Sequence, residues 1–291
     1  MFSHPLVRIL TYLALVFSFS SLFYLLCFQH GMKASYVFGL MWCPAAAAIL
    51  TSFLTKRPWH EFGWRLGKSR YLLAGWAFPI VYIWPSYLLV WVTGIGGFPK
   101  AQQVEKIRSI LHMPSAPIWV PLTLYYVIGS VAAVLLSCIW VAGEEIGWRG
   151  FLVPELIKVT SFTRTALISG VIWTGWHAPL VIWSSYNSGA PVYSLTCFAT
   201  LTIAASFVFV WLTVKSGSLW PAVLLHASNN AMIEGYFNPL TIERVQTKYF
   251  AGEFGCAMLP FIVFCAWAAW KNSSVINSPA SDPATADRLV S

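Results

Sequence analysis

Eight apolar stretches of about 20 residues each run through this 291-residue chain and constrain its fold more than any other feature. An α-helix of that length crosses the hydrocarbon core of a membrane. Only 10% of the residues are charged, against about 25% in a typical soluble domain. We therefore predict an all-α, polytopic transmembrane helix bundle of about eight spans. The stretches cover residues 6–28, 35–55, 71–95, 118–142, 164–184, 193–214, 219–236 and 253–270.

The stretches indicate one domain followed by a polar tail. We expect residues 1–271 to form a single integral membrane domain, in which about 118–236 is the core that holds the polar motifs. Residues 272–291 are rich in Ser, Ala and Pro and are expected to be a disordered cytoplasmic tail. The six cysteines lie in or beside apolar segments without a C-x-x-C pair, so we interpret them as small buried hydrophobic residues.

The basic residues predict an orientation. The formal net charge is +8, but in a membrane protein such a surplus belongs to cytoplasmic loops, and we expect lipid rather than nucleic acid as the partner. Both termini are predicted to be cytoplasmic, and the short loops favour a bacterial plasma membrane. Twelve basic residues fall on the side of the termini: Arg8, Lys56, Arg57, Arg65, Lys68, Arg70, Arg149, Lys158, Arg164, Lys215, Lys271 and Arg288. Six fall on the other side: Lys33, Lys100, Lys106, Arg108, Arg244 and Lys248.

The third connection, residues 100–113, has apolar side chains at helical spacing. Val104, Ile107, Ile110 and Leu111 alternate there with polar residues. This pattern fits an amphipathic helix at the membrane interface, and a plain loop remains an alternative.

Two adjacent carboxylates, Glu144 and Glu145, follow the fourth apolar stretch. Neighbouring side chains on a helix point about 100° apart, so the two serve different purposes. Arg149 stands four residues after Glu145, a spacing at which an ion pair closes on one helix face. Glu144 is then left to face a cavity as a general base. The alternative from spacing alone is a helix end whose charges lie in water or lipid headgroups.

The fifth and seventh stretches carry buried polar residues of their own. His177 follows Trp173 by one helical turn, so the indole packs against the imidazole. His226 and Asn230 are four residues apart and share a helix face, from which both side chains donate hydrogen bonds to a developing oxyanion. Taken singly, these residues also fit hydrogen-bonded packing between helices.

Together, these polar residues fit the chemistry of water attack on an amide. Glu144 supplies a base, and the two histidines and the asparagine supply an orienting group and oxyanion donors. Glu144, His177 and His226 also form a set of three possible zinc ligands with water as the fourth. Spacing does not separate these two possibilities.

The three motifs resemble those of the CAAX prenyl protease and bacteriocin-processing family of intramembrane endopeptidases, also called CPBP or Abi. That family carries E-E-x-x-x-R, an aromatic residue four positions before a His, and H-x-x-x-N/D, in this order. This chain has Glu144-Glu145-Ile-Gly-Trp-Arg149, Trp173-Thr-Gly-Trp-His177 and His226-Ala-Ser-Asn-Asn230. The family more often has Phe where this chain has Trp173. The resemblance covers about residues 122–236, and the residues before 100 contribute only the number of spans.

The resemblance implies an endopeptidase with a glutamic rather than a zinc mechanism, hence no cofactor, acting on a membrane-associated or lipidated peptide. By motif position, Glu144 activates water with help from His177, and His226 and Asn230 stabilise the oxyanion. Glu145 and Arg149, with Trp173, are structural or position the substrate. A zinc-dependent protease at the same residues, a non-catalytic peptide-binding or immunity protein and a transporter are the alternatives. The oligomeric state is not readable from the sequence.

The apolar pattern places the motifs at different depths. It ends the fourth span near Ala142, which puts Glu144 close to the cytoplasmic surface. His177 lies about 13 residues into its span, or roughly 20 Å, and His226 about seven residues, or roughly 10 Å. The motifs converge only if these span boundaries are misplaced or if the fourth helix tilts and carries Glu144 inward. The glycines at 143, 147 and 150 permit close packing or a bend there.

Overall fold

A computed structural model describes residues 4–273 of the chain. Within this range the protein is all-helical and contains no β-strand; a single antiparallel bridge joins Gly97 and Ile242. The all-α bundle predicted from the apolar stretches is therefore confirmed. The expected tail, 272–291, lies almost entirely outside the described residues.

Within residues 4–273, nine main helices form the fold, and five of them are uninterrupted and long. These five are α1 Pro5–His30, α2 Ala34–Thr55, α3 Ser69–Val92, α6 Phe162–Trp183 and α7 Pro191–Ser216. A short helix, α4, spans Ala101–Ile110. Helix α5, Trp119–Gly147, continues through a π-helical turn, Trp148–Leu152, into Val153–Ile157. Helix α8, Trp220–Met232, likewise continues through a π-helical turn, Ile233–Phe237, into Asn238–Leu240, and α9 is Leu259–Lys271.

All eight apolar stretches are helical. Within residues 4–273, six helices are long and apolar enough to cross a membrane, and these include the continuous segment Trp119–Ile157. The seventh and eighth stretches correspond to α8 and to the shorter apolar helix Cys256–Lys271. The protein is thus an integral membrane protein by length and composition of its helices. The third connection forms α4, with Val104 and Ile107 buried, so its helical alternative is the correct one.

The helices run alternately up and down and give the bundle two ends. The terminal face consists of the connections at 56–68, 158–161 and 217–219, together with the start of α1 and the end of α9. The mouth face consists of the connections at 31–33, 93–118, 184–190 and 241–258. Backbone hydrogen bonds hold each face together, from Leu219 to Gly63 on the terminal face and from Lys100 to Leu240 on the mouth face.

Helix α5 is longer than the apolar pattern predicts. It does not end near Ala142 but continues as a helix to Gly147, and the helical path runs on to Ile157. Glu144 therefore lies inside the bundle and is only 2% exposed, so the span boundary near Ala142 that the apolar pattern indicates is wrong. Arg149, counted above with the cytoplasmic loops, is also fully buried. The physical reason is that each charge has a partner in the interior: Trp173 donates to Glu144, and Arg149 forms an ion pair with Glu145.

Glycines allow α5 to pack closely against its neighbours. A Cβ at Gly143 would lie 2.6 Å from the carbonyl oxygen of Met41 on α2. A Cβ at Gly147 would lie 2.6 Å from the Tyr12 hydroxyl on α1. The bend expected here takes the form of the π-helical turn at Trp148–Leu152, a distortion common next to functional sites.

Buried ion pairs close the bundle at the terminal face. Arg57 Nε lies 3.0 Å from Glu155 Oε1, and both side chains are fully buried. Arg57 also donates to the carbonyl of Gly150 at 3.2 Å, which ties the connection after α2 to the π-helical turn of α5. Lys158 reaches Glu155 at 2.8 Å and Glu61 at 2.9 Å. This network leaves the mouth face as the open end.

Candidate active site

A cavity of about 1130 Å³ runs from the mouth face into the middle of the bundle. Residues of α2, α3, α5, α6, α7 and α8 line its walls. The site residues predicted from the three motifs converge on its deep part: Glu144, Trp173, His177, His226 and Asn230 all line it. The apolar pattern places Glu144 and His177 at different depths. In the structure α5 continues past Ala142, and Glu144 lies within hydrogen-bonding distance of Trp173 on α6.

Glu144 is held by a residue of the second motif. The indole Nε1–H of Trp173 donates to Glu144 Oε2 at 2.9 Å in a buried environment. The sequence gives Glu144 no local partner, so this contact from α6 is one that spacing along the chain does not reveal. With Oε2 fixed by Trp173 and the side chain lining the cavity, Glu144 presents a carboxylate to whatever enters.

Both oxygens of the Glu145 carboxylate are bound by other side chains. Arg149 Nη1 donates to both of its carboxylate oxygens, at 2.8 and 3.0 Å, so the predicted i,i+4 ion pair is formed. His226 Nδ1 lies 2.8 Å from Glu145 Oε1. Both Glu145 and Arg149 are 0% exposed. The two adjacent glutamates therefore differ in their environment as the sequence predicts.

Two aromatic rings enclose the guanidinium of Arg149. Its Cζ lies 4.4 Å from the ring centre of Trp173 and 3.8 Å from that of Phe209. Cation–π contacts of this kind stabilise a desolvated cation. Trp173 thus touches both the Glu144 carboxylate and the Arg149 cation, and it connects the first two motifs.

The hydrogen bonds of His177 define its tautomer. Its Nδ1 lies 3.0 Å from the carbonyl oxygen of Trp173. A carbonyl only accepts, so Nδ1 carries the proton and the neutral ring has a lone pair on Nε2. Trp173 meets the imidazole edge to face, with ring centres 5.8 Å apart, and Phe198 lies 4.9 Å away. These contacts fix the orientation of the imidazole ring, which lines the cavity.

His226 and Asn230 share one face of α8, as their spacing predicts. A carboxylate also only accepts, so His226 Nδ1 carries a proton toward Glu145, and Nε2 becomes a donor when the ring is doubly protonated. The amide oxygen of Asn230 accepts from Asn229 Nδ2 at 3.1 Å, and Asn229 in turn accepts from the Tyr82 hydroxyl at 2.9 Å. These two hydrogen bonds use the amide oxygen of Asn230 and leave its N–H groups available as donors.

Helix α1 supports the site, a role that the sequence does not predict for the residues before 100. The indole of Trp176, next to His177, donates to Ser20 Oγ at 2.8 Å, and the Tyr24 hydroxyl donates to the Trp176 carbonyl. Tyr12 is fully buried against Trp148 and Phe151, next to Gly147. The hydroxyl groups of Tyr12, Ser20 and Tyr24 in an otherwise apolar helix indicate that α1 makes polar contacts. Spacing within one helix does not show which residues of other helices they contact.

Two further carboxyl groups line the cavity. Glu234 accepts from Asn238 Nδ2 at 2.9 Å. Glu253, in the connection before α9, interacts with the hydroxyl of Tyr186. Burial raises the pKa of Glu253 to about 7, and the nearby Glu234 acts in the same direction. Neither residue belongs to a motif.

The zinc alternative requires three ligands that face one point. Within the described residues, no three His, Cys, Asp or Glu side chains are placed to hold one metal ion. Trp173 holds one oxygen of Glu144, and Glu145 holds Nδ1 of His226. In this arrangement the three predicted ligands do not face one point.

Comparison with known proteins finds similarity in the region that contains the three motifs. A family model described as type II CAAX prenyl endopeptidase Rce1-like matches residues 123–232, the range that contains all three motifs. The curated protein CAAX prenyl protease 2 of Methanococcus maripaludis is 27% identical over 89 residues, which is 28% of this chain and 32% of that protein. The match thus spans about a third of the relative. Over this part of the chain, the resemblance to the CAAX prenyl protease family is confirmed.

Proposed function

We propose that the protein is an intramembrane endopeptidase that hydrolyses a peptide bond of a membrane-associated or lipidated peptide. One observation carries the proposal: the cavity holds Glu144 together with His177, His226 and Asn230, while the adjacent Glu145 is bound to Arg149 and His226. The cavity is open to the mouth face and closed toward the terminal face. The similar protein from Methanococcus maripaludis is named CAAX prenyl protease 2, and we propose a lipidated peptide on this ground.

The first step is the activation of water. Glu144 Oε2 is held by Trp173, so the other oxygen accepts a proton from a water molecule as the water attacks the scissile carbonyl. The unprotonated Nε2 of His177 orients the same water, because its Nδ1 is fixed by the Trp173 carbonyl. Both groups approach from the wall formed by α5 and α6.

The second step is the stabilisation of the tetrahedral intermediate. His226 Nε2–H and the Asn230 amide approach from α8 and donate to the oxyanion. The Glu145 carboxylate stabilises the positive charge that His226 needs for this role. Collapse of the intermediate then transfers the proton from Glu144 to the leaving amine, and the carboxylate returns to its starting form.

Cleavage by purified protein tests the proposal. Wild-type protein and the variants Glu144→Ala and His226→Ala are reconstituted in liposomes with a pool of lipidated and unmodified peptides, and products are identified by mass spectrometry. We expect cleavage by wild-type protein and none by either variant. Glu105→Ala, an exposed change outside the cavity, serves as control. Wild-type turnover by Glu144→Ala overturns the mechanism, and solute flux without cleavage favours a transporter.

A further inference from the structure

Three basic side chains stand at the rim of the cavity. Lys100 comes from the connection before α4, and Arg244 and Lys248 come from the connection before α9. All three are exposed, and none forms an ion pair with an acidic side chain within residues 4–273. Arg244 donates to the carbonyl of Gly94, which fixes its position at the rim. Glu243 and Glu253 lie in the same connection as Arg244 and Lys248, and burial raises the pKa of Glu253 to about 7, so the three cations leave the rim net positive.

These cations run against the trend of the rest of the chain. The mouth face carries six basic residues in its connections, and three of them line the cavity. In the orientation predicted from the sequence, this face is the non-cytoplasmic one, where the positive-inside rule leaves few basic residues, and a role in binding is a reason for these three. A charged rim above a cavity attracts and orients a ligand of opposite charge.

The interior of the cavity has the opposite sign. Glu144 supplies this charge inside the bundle, and Glu234 lies in the π-helical turn at the mouth end of α8. A negatively charged segment is therefore attracted to the rim but disfavoured deeper in the cavity. This arrangement sets the register of a bound chain, because its acidic part stays at the mouth while an uncharged part passes inward.

We propose that the rim formed by Lys100, Arg244 and Lys248 selects peptides that carry acidic residues at a set distance from the scissile bond. The proposal rests on the proposed function and names the substrate class of the same site. The length of α6 between the site and the mouth face gives the distance from the scissile bond to the rim. Ten residues separate Trp173, which holds Glu144, from Trp183 at the mouth end of the helix, or about 15 Å. An extended peptide covers this span in about four to five residues.

The test compares matched peptides. A quenched fluorescent peptide that the wild-type protein cleaves is taken from a library, and its scissile bond is mapped by mass spectrometry. The residues four and five positions away, on each side in turn, are then replaced by Asp, Asn or Lys. We expect kcat/KM for the Asp peptide to exceed that of the Asn peptide about tenfold on one side, since each exposed ion pair contributes only a few-fold. The Lys peptide should be the poorest, and the preference should shrink in 0.5 M salt, which screens exposed charges.

Variants assign the preference to the rim. The triple variant Lys100→Gln, Arg244→Gln, Lys248→Gln should cleave the three peptides alike. The matched control Lys33→Gln, Lys106→Gln removes two basic residues of the same face outside the cavity and should keep the preference. Equal rates for the three peptides with wild-type protein, or an undiminished preference in the triple variant, overturns the proposal. A rate that responds to anionic lipid but not to peptide charge does so as well.

Binding separates this proposal from the proposed chemistry. Anisotropy of the same labelled peptides with Glu144→Gln protein reports rim selection without turnover. Preferential binding of the Asp peptides supports the rim even if Glu144 proves not to be the base. Equal binding of all three overturns the rim proposal even if Glu144 is essential for cleavage.

Discussion

The indole N–H of Trp173 donates a hydrogen bond to the carboxylate of Glu144 at 2.9 Å, across the interface between α5 and α6. The same indole lies against the Arg149 guanidinium, and its backbone carbonyl fixes His177. In the related family a Phe more often stands at this position. A Phe keeps the ring but lacks the donor, so the hydrogen bond to the proposed base is particular to the Trp of this chain.

Replacing Trp173 by Phe should therefore slow the chemical step more than it weakens substrate binding. A hydrogen bond to a charged group contributes about 1.5–3 kcal/mol, which corresponds to a fall in kcat of about 10- to 100-fold. KM should change little. Peptide cleavage kinetics check this, with Trp183→Phe, an exposed Trp on the same helix, as control. A kcat equal to that of wild type means that the indole N–H does not orient Glu144.

The adjacent glutamates should respond differently to the same substitution. Glu144→Gln removes the base and should lower kcat at least about 100-fold while the protein keeps its thermal stability. Glu145→Gln leaves Arg149 buried without its counter-charge, and this should lower the free energy of unfolding by about 3–5 kcal/mol. Thermal unfolding in detergent and cleavage assays on both variants measure the two effects. Equal loss of stability in the two variants would contradict the division of roles.

Chelation tests the choice of a glutamic mechanism. Activity should survive exhaustive treatment with EDTA and phenanthroline, because within residues 4–273 no three His, Cys, Asp or Glu side chains are placed to hold one metal ion. Loss of cleavage that added zinc restores would favour the metal-dependent alternative. Metal content of the active protein, measured by mass spectrometry, provides the independent control.

Gly147→Ala should destabilise the bundle behind the site. Its Cβ would lie 2.6 Å from the Tyr12 hydroxyl and would also meet the ring of Pro44, and both neighbours are buried on other helices. Overpacking of this kind costs about 1–3 kcal/mol. Gly175→Ala is the matched control, since a Cβ there meets nothing within 4 Å and Ala favours a helix. If Gly147→Ala melts at or above the temperature of the wild type, α1 and α2 move enough to accommodate the added methyl group.

The local parts of this site were predictable and the long-range parts were not. The Glu145–Arg149 ion pair follows from a spacing of four residues, and so does the shared face of His226 and Asn230. The bonds from Trp173 to Glu144 and from His226 to Glu145 join residues 29 and 81 positions apart, and periodicity carries no information on such distances. The hydropathy pattern places the end of the fourth span near Ala142, because a hydropathy scale assigns every charged residue to water. Glu145 and Arg149 instead neutralise each other inside the bundle.

Glu253 should make stability depend on pH. Burial raises the pKa of this carboxyl to about 7, well above the value of about 4.3 for an unfolded chain. The folded protein therefore holds a proton that the unfolded chain has lost, so the free energy of unfolding falls as pH rises from about 4 through 7. The melting temperature in detergent should drop between pH 5 and pH 8, and Glu253→Gln should flatten this part of the profile. Glu105→Gln, at an exposed acid of the same face, should leave the slope unchanged. If wild type and Glu253→Gln lose stability equally over this range, Glu253 is ionised in the folded protein and another group sets the dependence.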